Sequence, residues 1–332
     1  ININDNLVIT RGYFNSYSYQ VELSGNIEIK DGQITAAASD HGRIVLNGTD
    51  QTIKGSLSKE QGFGHLELDN ASTATLLSNI NVSDITLTSG IFSIDKYNID
   101  ISGSIIDGVD GTGNNFGNTL MFESAGNISD GGVTLSISLT DADNGSSILY
   151  PIVTAGVYNQ AEVNVASAPG TTSGKLTVKW ANTFHPTSKN GTTAWSIPYY
   201  WVTKAEGFSG LTASSIDYTF YYNAGVDNQF LEFYLLSGAT DWLDDGDSGA
   251  GAEMIFEGFD FASGDFTAGK NGEFVNMVTY YSRQDGDWTD ATTWSTTGHD
   301  GAATNKYPGQ QSKAAYVIIG ADSDDNHQVT ID

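Results

Sequence analysis

The feature that most limits what this chain can fold into is a recurrence of very short apolar-x-apolar segments at a step near 20 residues. Ile3, Leu23, Leu46, Leu68, Leu87 and Ile105 mark it, with spacings of 20, 23, 22, 19 and 18. Val21-Glu-Leu23, Ile44-Val-Leu46, Leu66-Glu-Leu68 and Ile85-Thr-Leu87 sit at these positions, and Ile27-Glu-Ile29, Ile80-Asn-Val82 and Ile99-Asp-Ile101 lie between them. Side chains of a strand alternate between its faces, so each triplet turns two apolar groups to the same side. One triplet buries too little to stand alone; stacked repeats share a continuous core. The pattern therefore predicts a β-solenoid over residues 1–108. A twisted antiparallel sandwich is the competing arrangement. Asp31-Gly32, Asn47-Gly48, Ser89-Gly90 and Asp107-Gly108 supply corners, with glycine expected there for positive φ. No proline precedes Pro151, so no residue of the ladder lacks a backbone donor.

Residues 109–132 are rich in Gly, Asn and Asp and read as the solenoid's end and a connection that covers its edge. From 133 to 283 the strands lengthen and rings concentrate, as in Lys175-Leu-Thr-Val-Lys-Trp180 and Ile216-Asp-Tyr-Thr-Phe-Tyr-Tyr222. Seven or more such strands predict an Ig-like or jelly-roll β-sandwich. Residues 284–332 open with Gly286-Asp-Trp288 and close on Tyr316-Val-Ile-Ile319 and Val329-Thr-Ile331, similar to the opening Ile1-Asn-Ile3 and Leu7-Val-Ile9. This segment reads as the start of the next repeat module, and the chain as a window from a longer repetitive protein. Helical periodicity is absent, so the fold class is all-β.

Charge narrows the partners. Lys and Arg total 14 against 40 Asp and Glu, a net charge of −26. Nucleic-acid binding rests on neutralising phosphates with Lys and Arg, so no nucleic acid is expected. No apolar run approaches the roughly 20 residues of a membrane span, which predicts no membrane insertion. With no cysteine there are no disulfides, thiolate metal sites or cysteine nucleophiles. Ile1 begins directly on strand-like sequence, so any export signal is expected to have been removed or to lie outside this window.

Two groups of residues are candidate sites. Closely spaced carboxylates can fold round a hard cation, which makes Ca2+ the candidate ion for Asp141-Ala-Asp143, for Asp241, Asp244, Asp245 and Asp247, and for Asp322-Ser-Asp324. Of these, the stretch from Asp241 to Asp247 is the best candidate, although none matches EF-hand spacing. The ordinary alternative is that Asp, Asn and Gly are simply turn residues. Among the rings Trp195, Tyr199, Tyr200, Trp201, Tyr218, Tyr221 and Tyr222, the consecutive Tyr199, Tyr200 and Trp201 cannot all be expected to point inward, which makes them candidates for stacking on sugars. Core and cross-strand packing is the alternative for the whole set. The five histidines show no metal-ligand spacing and no Ser sits in a nucleophile elbow, so no catalytic residue is assigned.

Leu46-Asn-Gly-Thr-Asp-Gln-Thr-Ile-Lys-Gly55, Phe63-Gly-His-Leu-Glu-Leu-Asp-Asn70 and Ser89-Gly-Ile-Phe-Ser-Ile-Asp-Lys-Tyr-Asn98 resemble coils of very large, repetitive surface proteins of Bacteroidota exported by the type nine secretion system, gliding-motility adhesins among them. Leu149 to Trp201 resembles the sandwich that follows such coils, and Gly264 to Gly269 with Gly286-Asp-Trp288 and Thr293-Trp-Ser295 the seam to a next unit. The family's C-terminal sorting domain is not visible. The resemblance implies an extracellular segment at the bacterial cell surface that is structural and adhesive and has no catalytic residues. Its partners would be neighbouring repeats of the same protein and surface glycans. A carbohydrate-binding module is the alternative function, and a solenoid polysaccharide lyase or glycosidase ranks last.

Overall fold

The computed structural model describes residues 1–16, 19–34, 42–55, 62–108, 121–154, 157–167, 170–209, 215–221, 230–239, 241–248, 253–270, 273–274, 278–308, 310, 315–320 and 327–330. The chain is all-β: a β-solenoid followed by further sheets, with two three-residue 3-10 turns as the helical elements among the described residues. It divides into two compact units, residues 1–183, 201–226 and 249–264 in the first, and 184–200, 227–248 and 265–332 in the second.

The first unit begins with the coil stack. Its strands are β1 (Asn2–Ile3), β2 (Leu7–Phe14), β3 (Val21–Leu23), β4 (Ile27–Ile34), β5 (Arg43–Leu46) and β6 (Gln51–Gly55). Then come β7 (Phe63–Leu76), β8 (Ile80–Ser93), β9 (Ile99–Ile101) and β10 (Ile105–Asp107). Pairing is parallel throughout. Ile3 lies beside Leu23, Leu23 beside Leu46, Leu46 beside Leu68, and Leu68 beside Leu87. Four of the five expected steps are thus in register. The fifth slips by two residues, because Ile105 pairs with Ile85 and Asp107 takes the position beside Leu87. Leu23, Leu46, Leu68 and Leu87 are fully buried, and each such side chain contributes about 1.5–3 kcal/mol. Asp107 is buried too and ends the aliphatic row with a carboxylate.

Corners are stitched by side-chain amides. Asn6 Oδ1 accepts from the Asn26 amide at 2.7 Å, and Asn26 Oδ1 from the Thr52 amide at 2.7 Å. At another corner, Asn79 Oδ1 accepts from the Asn98 amide and Asn98 Oδ1 from that of Gly132. Stacked amides of this kind satisfy corner backbone groups that the strands leave open. Corner glycines differ from expectation. Gly90 has positive φ, as predicted, but Gly32, Gly48 and Gly108 do not. They are required for approach instead: a Cβ on Gly48 would stand 2.0 Å from the Ser24 carbonyl oxygen.

Beyond residue 108 the predicted connection falls partly on 109–120, which lie outside the described residues. β11 (Met121–Ser124) continues parallel beside β8, and β12 (Val133–Leu139) lies parallel to β9. Next in order are β13 (Ser147–Tyr150), β14 (Ile152–Thr154), β15 (Val157–Tyr158), β16 (Ala161–Val165), β17 (Thr172–Ala181), β18 (Tyr200–Glu206) and β19 (Ile216–Tyr221). β12 is the hinge between pairing senses, parallel to β9 on one side and antiparallel to β17 on the other. A sandwich detached from the coils would need a free edge there; instead the coil sheet runs on into the aromatic region.

β20 (Leu231–Leu236), β21 (Leu243–Ser248), β22 (Glu253–Phe259), β23 (Gly264–Gly269), β24 (Val278–Ser282), β25 (Gly286–Asp287), β26 (Trp294–Ser295), β27 (Ala315–Ile318) and β28 (Val329–Thr330) complete the set. Strands β13, β16, β19 and β22 form a separate four-stranded antiparallel sheet in the first unit, burying Val163, Tyr218, Phe220 and Phe256 on one face. In the second unit β24 pairs parallel with β27 and β25 parallel with β28, the pairing sense of the coil stack.

Candidate functional site

The second unit carries a set of polar contacts that do not repeat along the chain, beginning at residue 185. His185 is buried. Its Nδ1 accepts from the Thr187 amide at 3.2 Å and lies 2.8 Å from Thr187 Oγ1. An acceptor nitrogen carries no proton, so in the neutral ring the proton sits on Nε2 and is donated to Asp265 Oδ2 at 3.0 Å. Trp242 Nε1 donates to Thr187 Oγ1 at 2.7 Å, which lets that hydroxyl donate in turn to His185. The rings of Tyr200 and Trp242 meet His185 edge-on at 4.6 and 4.8 Å. Burial, with the Asp265 carboxylate second, pushes the Tyr200 phenol up to about 12. Trp242, Phe233, Leu235 and Phe274 close the apolar floor.

Next to this floor Glu273 is completely buried. Its carboxylate accepts from the Ser188 hydroxyl, the Asn190 amide at 2.9 Å, Asn190 Nδ2 at 2.5 Å and the Gly191 amide at 3.1 Å. Burial alone would raise its pKa; the Ser188, Asn190 and Gly191 donors outweigh that and hold it below the usual value. Bridges from Ser188 to Phe274 and from Ser196 to Gly269 tie the segment 188–196 to the chain beneath. On this fixed turn Lys189, Asn190, Thr192, Thr193, Ala194 and Trp195 face solvent. Trp195 is 42% exposed, and Lys270 Nζ lies 5.8 Å from its ring centroid.

The expected ring site is different. Tyr199, Tyr200 and Trp201 are all buried, so this run offers no ring to solvent and the expected stacking role falls away. Successive strand residues point to opposite faces, and both faces are covered here. Tyr200 meets His185, whereas Trp201 packs on Trp180 at 5.2 Å and Phe220 at 5.1 Å and donates its Nε1 proton to the Asn159 carbonyl. Tyr218 is core and Tyr222 lies outside the described residues. Among the described members of the ring set, Trp195 is the exposed one and Tyr221 is half-buried.

The stretch from Asp241 to Asp247, expected as a loop, is mostly the strand Leu243–Ser248. Asp244 pairs with Phe233 and Ser248 with Leu231, the register shifting between them, so Asp244 and Asp245 lie on a paired strand and not in a loop folded round a cation. Asp241 precedes the strand and is exposed; the Asp247 side chain lies outside the described residues, as do residues 322–326. Asp143 is engaged in capping its own turn, accepting from the Thr140 amide at 2.7 Å. Among the described residues no group of three or more His, Asp or Glu is gathered as a metal site.

Sequence reasoning found no histidine constellation, and two contacts lay beyond it. His299 and His327 both donate Nδ1 to the Ser282 carbonyl, at 2.5 and 2.9 Å. Both rings serve as backbone ties in the second unit. No family model matches the chain, and comparisons with curated proteins and with solved structures give no significant match.

Proposed function

We propose that this chain is a non-catalytic structural and adhesive segment of a long extracellular surface protein, in which the coil stack serves as a stiff spacer. The observation that carries this reading is the in-register parallel ladder from Ile3 to Leu87, with each coil bonded to the next along the stack. Neighbouring repeats of the same protein are the expected partners along the chain. Pulling single molecules by their ends tests the spacer: the coils should give way in discrete steps of about one coil, and smooth extension without steps would end the idea. Incubation with a polysaccharide panel in the presence of calcium tests the absence of catalysis. Release of unsaturated or reducing ends would overturn it.

A second reading, carbohydrate binding, rests on a different observation: Trp195 is exposed on a backbone held by a buried carboxylate. Titration with soluble glycans tests it, and a silent panel would remove it.

A further inference from the structure

A lone exposed ring is ordinary on a protein surface. What sets Trp195 apart is the construction beneath it. Four donors from Ser188, Asn190 and Gly191 solvate the Glu273 carboxylate in the interior, in the place a cation would otherwise take. Taking a carboxylate out of water costs free energy even when its lone pairs are filled. Here that cost is spent on the conformation of one surface turn. Gly191 closes the turn at φ 56°, and the Trp195 and Ser196 amides both donate to the Thr192 carbonyl, at 2.9 and 3.0 Å. From the other side the Lys270 amide donates to the Trp195 carbonyl at 2.7 Å. Gly269 is demanded by the close fit, since a Cβ there would stand 2.9 Å from the Trp195 carbonyl oxygen. The ring is thus carried on backbone pinned from both directions, the kind of preorganised support that recognition sites need.

We infer that Trp195, with Lys270 and Lys189, forms a platform for an uncharged saccharide, a reading that rests on the carbohydrate-binding function proposed above. A pyranose presents an apolar face that stacks on an indole and a rim of hydroxyls that take hydrogen bonds. Lys270 Nζ lies over one face of the ring, and the exposed Lys189 leaves the same turn, whose Asn190 side chain is turned in to Glu273. The sugar is assigned as uncharged because the whole chain carries −26, with 14 cations against 40 anions. Such a surface repels polyanions over distances that two lysines do not offset.

Trp195 also supplies its own readout. Of the six tryptophans, all among the described residues, Trp180, Trp201, Trp242 and Trp294 are buried and Trp288 is half-buried. Saccharide stacking therefore alters chiefly the solvent-exposed part of the emission. The test is fluorescence and calorimetric titration of the whole chain with neutral gluco-, manno-, galacto- and N-acetylhexosamine oligosaccharides, beside acidic polysaccharides, at low and high salt. The expected result is salt-insensitive binding of a neutral oligosaccharide with an emission change. Trp195→Ala should weaken it at least tenfold, Trp195→Tyr should retain most of it, and Lys270→Met should weaken it a few-fold. Neutral saccharide binding that survives Trp195→Ala unchanged would overturn the platform and leave the glycan reading standing elsewhere on the molecule. Salt-sensitive binding of acidic polysaccharides alone would overturn the uncharged class. No binding across the panel would remove both the platform and the glycan reading.

Discussion

In the coil stack, Leu23, Leu46, Leu68 and Leu87 meet one another in register, and each row is completed by an equivalent residue one coil away. Around Glu273 and His185 no contact repeats. Each is made once, often by residues some 80 positions apart, as Ser188 meets Glu273 and His185 meets Asp265. The two regions solve the burial problem in opposite ways. Repetition spreads stability over many equal aliphatic contacts and leaves the outer faces free to vary. Unique polar contacts concentrate it in a few atoms and fix geometry closely. The difference teaches that the stack is suited to bearing load, whereas the second unit holds a particular surface still.

Substitutions can set these two kinds of order against each other. The largest effect is expected at the middle of the ladder. Leu46→Ala removes a fully buried side chain between Leu23 and Leu68 and should cost about 3 kcal/mol, read as a lower urea midpoint for the first unit. A loss under about 1 kcal/mol would mean that the stack relaxes around cavities and is not stiff. Glu273→Ala comes next, at about 2–3 kcal/mol, because the Ser188, Asn190 and Gly191 donors lose their shared acceptor together. Its carboxylate is held below its ordinary pKa, so its stabilisation is present above the unfolded value of about 4.3 and is lost as pH falls through the lower folded value. Acid titration of wild type and Glu273→Gln should therefore converge at low pH. Parallel curves would show that the charge itself contributes nothing.

Trp242→Phe is milder. It deletes the donor that orients Thr187 toward His185 while keeping an aromatic ring in the floor, and about 1–2 kcal/mol should be lost. Proton exchange at His185 would then speed up in NMR, a change that coil substitutions should not produce. The smallest expected effect is that of chelation. With Asp244 and Asp245 on a paired strand and no metal cluster among the described residues, EDTA should leave the melting temperature where it was. A fall would locate a bound ion, and the stretch 322–326 would be the first place to substitute.

The coil stack was legible because its cause is local and repeated. Alternation places Leu23 and Leu46 inward, and coils of 19 to 23 residues, whose corners absorb the difference, bring them together, so the pattern reaches the contact. The slip at Ile105 shows the limit of that reasoning: Asp107 takes the inward place that an apolar residue was expected to hold. Corner glycines were recognised, yet for the wrong reason at Gly48, where crowding by Ser24 and not φ decides. The rings at Tyr199 to Trp201 were misread because alternation says which side a residue faces, not whether that side is covered. Nothing local marks Glu273 as buried, since its donors lie more than 80 residues away in the chain. A better signal was available in Ser188-Lys-Asn-Gly191, a turn sequence standing just before an isolated Trp.

Because each coil takes its hydrogen-bonding partners from the coil before it, chain order in the stack is also assembly order. The Leu7–Phe14 edge receives Ile27–Ile34, and that strand in turn receives Gln51–Gly55. A chain folding from its N-terminus can therefore lay down one coil at a time, each new coil finding its template already in place.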